Sequence, residues 1–462
     1  MKNFFNFKRI SSDTFLITND FGRYVFLKKD DFFSIVNENE VKDSELEKIL
    51  IDKGFIYESS KEAFLDKVQY YMKDSKQFLF SSTQLHIFVV TNTCNLQCVY
   101  CQAQNGSSIP NGFMDKTTAK KAVDIALQSP SKDIDFEFQG GEPLLNFEII
   151  KYIVEYSKEK AEGKHIQYSI VSNLTLLTDE MIEFILENNI NLSTSLDGNE
   201  ILHNLNRPMK NGLNSFQIVL KSIEKLRQKG IYVGAIQTTT RESLRYAKEI
   251  VNAYVDNGFS TLSLRALTPL GCASARWKEI GYSPQEFCNF YKEAFLHMIQ
   301  LNRQGIDIKE GQARVFLSKI LYGVGSNYME LRSPCGAAIG QMAYYCDGKI
   351  YTCDEGRMLA EMGNDSFCLG TVDNTYSELI DSPRCKVACK ASILETLPTC
   401  SDCIYQPYCG VCPVVNFASY LDVYEKRPKE YKCMIYAGML DVIFNFLHLT
   451  EEEDTEILRR WM

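Results

Sequence analysis

Between residues 84 and 267 six apolar, strand-like runs alternate with amphipathic helical patterns, and this alternation constrains the fold most tightly. The runs cover 85–90, 134–138, 166–171, 190–196, 232–238 and 261–267. After Thr178, an N-cap residue, Asp179 and Glu180 fill a first turn and Met181, Ile182, Ile185 and Leu186 form one apolar stripe. A second helix is predicted from Asn214 to a stop at Gly230, and further helical patterns cover 284–303 and 312–321. Six β/α repeats imply parallel strands joined by right-handed crossovers. Periodicity leaves two architectures open, a flat open sheet and a partial barrel.

The loop after the first run carries Cys94, Cys98 and Cys101. A closed zinc or iron–sulfur site uses four protein ligands. Three thiolates on one loop can hold three irons of a [4Fe–4S] cube and leave the fourth iron open. The plain alternative is three structural thiols. The chain has 16 cysteines and five histidines, and 11 of those cysteines lie between Cys335 and Cys433. The first residues lack the apolar core of a signal peptide, and no apolar run reaches bilayer-spanning length, so a reducing cytoplasm with thiolate-bound clusters is expected. A net charge of −9 without a basic tract argues against nucleic acid as the partner, and no membrane partner is expected. No P-loop, Ser/His/Asp pattern, base-reading motif or histidine metal site is visible. His203 reads as structural.

Other short motifs fall where strands end, the place where parallel α/β folds collect ligands. Gln139-Gly140-Gly141-Glu142-Pro143 follows the second strand, Ser172-Asn173 the third, and Ser195-Leu196-Asp197-Gly198 the fourth, with Arg207 shortly beyond. Each also has an ordinary reading as a turn, a cap or a solvated loop. Residues 1–80 read as a small strand-then-helix unit: strand-like runs at 14–17 and 24–27 flank an Asn19–Gly22 turn, and a helix from about Ser44 stops at Gly54.

The Cys-x3-Cys-x2-Cys spacing with Tyr100 before the last cysteine, followed by Gly-Gly-Glu-Pro, resembles the radical S-adenosylmethionine (SAM) enzymes. The resemblance implies a partial (β/α)6 barrel over 81–310. It also implies a [4Fe–4S] cluster on Cys94, Cys98 and Cys101 with SAM on the open iron. Tyr100 would then lie near the adenine, Gly140, Gly141 and Glu142 at the SAM amino group, Asn173 at the ribose, and Ser195 and Arg207 at the carboxylate. Leu174 departs from the family, which has glycine there. Residues 311–440 resemble the SPASM extension: Cys335, Cys353 and Cys412 would hold one auxiliary [4Fe–4S] cluster, and Cys400, Cys403, Cys409 and Cys433 a second. The first set's fourth position falls to Cys346 or to an open iron, while Cys368, Cys385 and Cys389 are unassigned. Zinc ribbons are the competing reading of these pairs. Asp354 matches a general base of sulfatase-maturing relatives.

The same resemblance implies that residues 1–80 are a winged-helix-like element binding a ribosomal precursor peptide along a hairpin edge; the alternative is a structural extension. Residues 441–462 would form a helical tail. The implied activity is reductive SAM cleavage and hydrogen abstraction from a peptide or protein side chain, leading to a cross-link or oxidation. A one-electron donor such as flavodoxin or ferredoxin is implied. Tyr405–Pro413 resembles the B-type maturase of His-Xaa-Ser peptide systems, which implies a partner radical SAM maturase. A small-metabolite enzyme and an iron–sulfur electron-transfer or zinc-scaffold protein are the competing functions.

Overall fold

A computed structural model describes residues 2–38, 40–57, 60–103, 112–325, 327, 330–424, 430–449 and 452–462. Six parallel strands follow one another in sequence order: β4 (Leu85–Thr91), β5 (Asp133–Gly140), β6 (His165–Val171), β7 (Asn191–Ser195), β8 (Val233–Thr238) and β9 (Thr261–Arg265). Each lies within two residues of its sequence-derived run at either end. Unbroken order with right-handed crossovers puts every connecting helix on one face, so the sheet winds one way instead of doubling back. β10 (Lys309–Glu310) continues the sheet beyond β9, and β11 (Gln341–Tyr344) pairs parallel with β4, so the winding does not close. The result is a mixed α/β fold whose parallel sheet is a partial barrel. Rings stack through its core, with Phe88 4.8 Å from Phe136 and 5.1 Å from Tyr344.

The helices start where their caps predict. The Thr178 hydroxyl accepts from Met181 N–H at 3.3 Å, and Asn214 caps Ser215–Gln228. Ser283 and Glu286 form a reciprocal capping box on Pro284–Arg303.

The cysteine-rich region is less irregular than expected. β11, β12 (Lys349–Tyr351) and β13 (Cys368–Thr371) extend the barrel sheet. β11 is buried at every position, so no polar/apolar alternation marks it as a strand. The proposed boundary at 440 falls inside the continuous helix Tyr431–Leu449. That helix also corrects the expectation that no segment is apolar enough to span a bilayer: its length and composition suffice. Here it packs into protein on two sides, with Phe446 5.5 Å from Phe295 and Phe444 5.4 Å from Tyr24.

The N-terminal unit holds three strands, not two: β1 (Asn6–Arg9), β2 (Thr14–Thr18) and β3 (Tyr24–Lys28), all antiparallel. Helices Ser44–Asp52 and Lys61–Ser75 follow, and Phe15, Ile17, Leu27, Phe32, Leu50 and Phe55 form a core of their own. The unit docks on the cysteine-rich region. The Thr18 hydroxyl donates to Ile404 O (2.8 Å), the Tyr408 hydroxyl donates to Gly22 O (3.0 Å), and Lys8 pairs with Asp441 at 2.5 Å.

Candidate active site

The carboxyl ends of all six barrel strands open on one cavity of about 300 Å³. Its wall includes Cys94, Cys98, Tyr100, Cys101, Gly140, Gly141, Asn173, Ser195 and Arg207, so nine residues singled out from sequence meet in one place. The cysteine loop is held by backbone bonds from distant segments. Val99 N donates to Asn206 O and Gln97 N to Pro208 O, both at 2.9 Å, and Cys272 N donates to Cys101 O at 2.8 Å. Asn173 Nδ2 donates to Asn95 Oδ1 (2.9 Å) and lies 3.8 Å from Cys94 Sγ.

Gly140 and Gly141 are required by space. A Cβ on Gly140 would sit 2.0 Å from Thr91 O, and one on Gly141 2.2 Å from Thr93 O. Gly140 also has φ +146°, a conformation that L side chains rarely adopt. Leu174, where relatives have glycine, takes φ +58° and is fully buried, so packing holds the left-handed turn without glycine.

Glu142 is used internally and lies outside the cavity wall. Its carboxylate accepts from Ser172 Oγ (2.7 Å), Asn173 N (2.8 Å) and Leu144 N (3.0 Å), tying the ends of β5 and β6 together. Burial pushes its pKa up to about 7 against those hydrogen bonds. Tyr100 donates to Asp197 Oδ2 at 2.6 Å, while Arg207 lies 3.4 Å from the same oxygen and 5.4 Å from the Tyr100 ring centre. Burial opposes the Arg207 charge, but Tyr100, Cys98 and Asp197 outweigh it and hold the guanidinium charged. His203 is structural: Asp197 N donates to its Nδ1 at 3.3 Å, and burial drops its pKa to about 3.

The far wall is formed by residues outside the sequence-derived set: Gln312, Glu330, Glu355, Tyr431, Lys432 and Tyr436. Glu330 pairs with Lys432 (2.9 Å) and accepts from Tyr436 OH (2.6 Å). Asp354 is not on this wall; it is bound by the buried Arg357 guanidinium, with Nε at 3.1 Å. The only sequence signal for Glu355 and Lys432 is adjacency, Glu355 two residues after Cys353 and Lys432 just before Cys433.

Cys335, Cys353 and Cys412 share one buried cluster and influence each other electrostatically. Cys400, Cys403 and Cys433 all act on Cys409. Cys346 is elsewhere, at the β11–β12 turn beside Asn92 and Glu361. Cys385 and Cys389, both free thiols, share a side-chain hydrogen bond on the helix Pro383–Lys390, and Cys368 lies on β13.

The donor sets fit iron–sulfur clusters. Burial pushes Cys94 up to about 11 and Cys101 to about 12, so these thiols become thiolates only when a cation displaces their protons. Gln312 Nε2 is a buried donor without a hydrogen-bond partner on this cavity, as an acceptor-bearing ligand requires.

Residues 88–257 match the Radical SAM superfamily. An uncharacterised protein of Methanocaldococcus jannaschii is 39% identical over 183 residues, 40% of this chain and 62% of that protein. A cysteine-type anaerobic sulfatase-maturating enzyme of Clostridium perfringens is 26% identical over 336 residues, 69% of this chain and 85% of that enzyme. Among solved structures, native anSMEcpe with bound AdoMet aligns with a TM-score of 0.69 at 22% identity, covering 82% of this chain and all of that one. Streptococcus suis SuiB bound to precursor peptide SuiA aligns at 0.55 and 13% identity, covering 93% of this chain and 99% of that one. The chain carries a radical SAM domain. It is related to sulfatase-maturating and peptide-modifying radical SAM enzymes.

Proposed function

We propose that this chain is a radical SAM enzyme that modifies a side chain of a ribosomally made peptide or protein. The observation carrying this reading is the single cavity that brings Cys94, Cys98 and Cys101 together with Gly140, Gly141, Asn173, Ser195 and Arg207. Bound there, cluster and SAM supply a one-electron reductive cleavage whose carbon radical takes hydrogen from an unactivated C–H bond. Arg207 would offer its guanidinium to the SAM carboxylate, while Asp197, 3.4 Å from Nε, and Tyr100 fix its plane. The Gly140–Gly141 turn would take the SAM amino group, Asn173 the ribose, and Ser195, with Arg207, the carboxylate. Glu142 serves this site by clamping two strand ends and does not bind ligand itself.

The far wall receives substrate. Glu355 is the carboxylate presented there, while Asp354 is held by Arg357. Cys335, Cys353 and Cys412 bind the first auxiliary cluster, and Cys400, Cys403, Cys409 and Cys433 the second. Cys346 is not a ligand in this assignment. A peptide substrate is supported by SuiB, solved with its precursor peptide SuiA, and by anSMEcpe, solved with a Kp18Cys peptide. The exposed aromatic Phe7 on edge strand β1 offers such a peptide a place to dock.

The test is anaerobic reconstitution with SAM and dithionite, with 5′-deoxyadenosine read by chromatography. Formation of deoxyadenosine, stimulated by the precursor peptide, is expected. Its absence from cluster-loaded protein would refute the reading, and stimulation by small metabolites alone would replace the peptide with a small substrate.

A further inference from the structure

Two buried cations lack acidic partners. Lys319, on the helix Gly311–Tyr322, is 8% exposed, and its ammonium donates only to the carbonyls of Leu331 and Tyr408, the latter at 3.0 Å. Arg332 is 2% exposed and donates to the Pro334 carbonyl (2.8 Å) and to the carbonyl and side-chain oxygen of Asn327. Its guanidinium lies 4.1 Å from the Phe78 ring centre. Among the described residues neither has a carboxylate within 4.0 Å. Nearby Lys76 differs: it pairs with Glu395 at 2.6 Å.

Burying one unpaired ion costs several kcal/mol even after relaxation. Burial drops Lys319 to about 7 and Arg332 to about 10. Two such ions side by side make the cost worse, so the fold is missing negative charge. The cysteines indicate its source. Lys319, Arg332 and Cys409 line one void of about 30 Å³, roughly the size of a water molecule; Asp20 and Lys76 line it too, and since Glu395 balances Lys76, two cations face the Asp20 carboxylate alone, with no ion pair to it among the described residues. The strongest stabilising influence on Lys319 is the Cys409 sulfur, and on Arg332 it is Cys335, followed by Cys389. Geometry agrees: Lys319 donates to the carbonyl of Tyr408, next to Cys409, and Arg332 to the carbonyl of Pro334, next to Cys335, so each cation lies beside one cysteine set. A cube on thiolates is a net anion and gains further negative charge on reduction.

We propose that Lys319 and Arg332 are fixed counter-charges of the two auxiliary clusters, Lys319 acting on the second and Arg332 on the first, and that they raise the clusters' reduction potentials. This rests on the auxiliary-cluster reading above. Both are positioning residues: they touch no substrate and act through the clusters.

The test uses full-length protein carrying Cys94→Ala, Cys98→Ala and Cys101→Ala, so that only auxiliary clusters titrate. This background should hold about eight irons, two cubes of four. Adding Lys319→Met should lower the reduced-to-oxidised ratio of one cluster about tenfold at a fixed potential, about 59 mV for a one-electron couple. Lys319→Arg, which keeps the charge, should restore it, and Arg332→Gln should shift the other cluster. Iron lost from Lys319→Met but kept by Lys319→Arg would equally support the proposal. Unchanged potentials at full iron content would overturn it while leaving the clusters standing. A background without iron would instead remove the cluster reading, and this proposal with it.

Discussion

Arg207 and Lys319 are both cations buried beside cysteines, yet their surroundings differ. Arg207, at the strand-end cavity, has Asp197 at 3.4 Å and the ring of Tyr100 against it. Lys319, in the cysteine-rich region, hydrogen-bonds only to carbonyls, with Cys409 and, beyond ion-pair distance, Glu330 acting on its charge. The strand-end site is built on a hydrogen-bonded sheet and balances its own buried charge, so its frame forms from protein alone. On the proposed cluster reading, the cysteine-rich region gathers ligands from positions 335 to 433 around buried charge that has no ion pair among the described residues, so its clusters would contribute to folding.

The largest test of this contrast is Cys94→Ala. It should abolish deoxyadenosine formation and lower iron from about twelve to about eight per chain, with the remaining absorbance intact. Collapse of all iron content would show that the two regions load as one unit. Next is Gly141→Val, which places a side chain on the Thr93 carbonyl. Denaturant unfolding should show a loss of about 3 kcal/mol or more, and full stability would mean the strand-end frame is softer than argued.

Glu142→Gln probes the same frame through pH. Burial raises the folded carboxyl from 4.5 to about 7, so the folded state keeps a proton that the unfolded chain releases. Its stabilising contribution is full below about pH 4.5 and declines as pH rises through about 7, by about 3 kcal/mol at 1.36 kcal/mol per pH unit. Wild-type stability measured relative to the variant should fall across that window, and a flat difference would mean the carboxylate stays charged in the fold. The smallest effect is expected from Cys346→Ser, which should leave iron content unchanged. Loss of about two irons or more would return Cys346 to the ligand set.

Legibility followed the range of the interactions involved. The six barrel strands, the caps at Thr178 and Asn214, and the meeting of Cys94–Cys101 with Gly140 and Gly141 depend on local periodicity and on a topology rule, and all could be read from sequence. For Glu142 the motif suggests a ligand contact, and the structure adds what no local pattern shows, that Ser172, Asn173 and Leu144 donate to its carboxylate. β11 was missed because a strand buried on both faces carries no alternating pattern. For the fourth position of the first set the sequence leaves Cys346 or an open iron, and the structure packs Cys346, after β11, in a different buried cluster from Cys335, Cys353 and Cys412.

The amino-acid order alone determined six parallel strands with three thiols and a glycine pair at their carboxyl ends, since side-chain period and residue spacing act over a few positions, while the strand order that winds the sheet one way came from the structure. Only the tertiary structure decided that Glu355 rather than Asp354 faces the cavity, and that Lys319 and Arg332 lie buried without an acid. Whether a buried charge is balanced depends on groups arriving from segments hundreds of residues apart, and no local pattern in the chain records which groups those are.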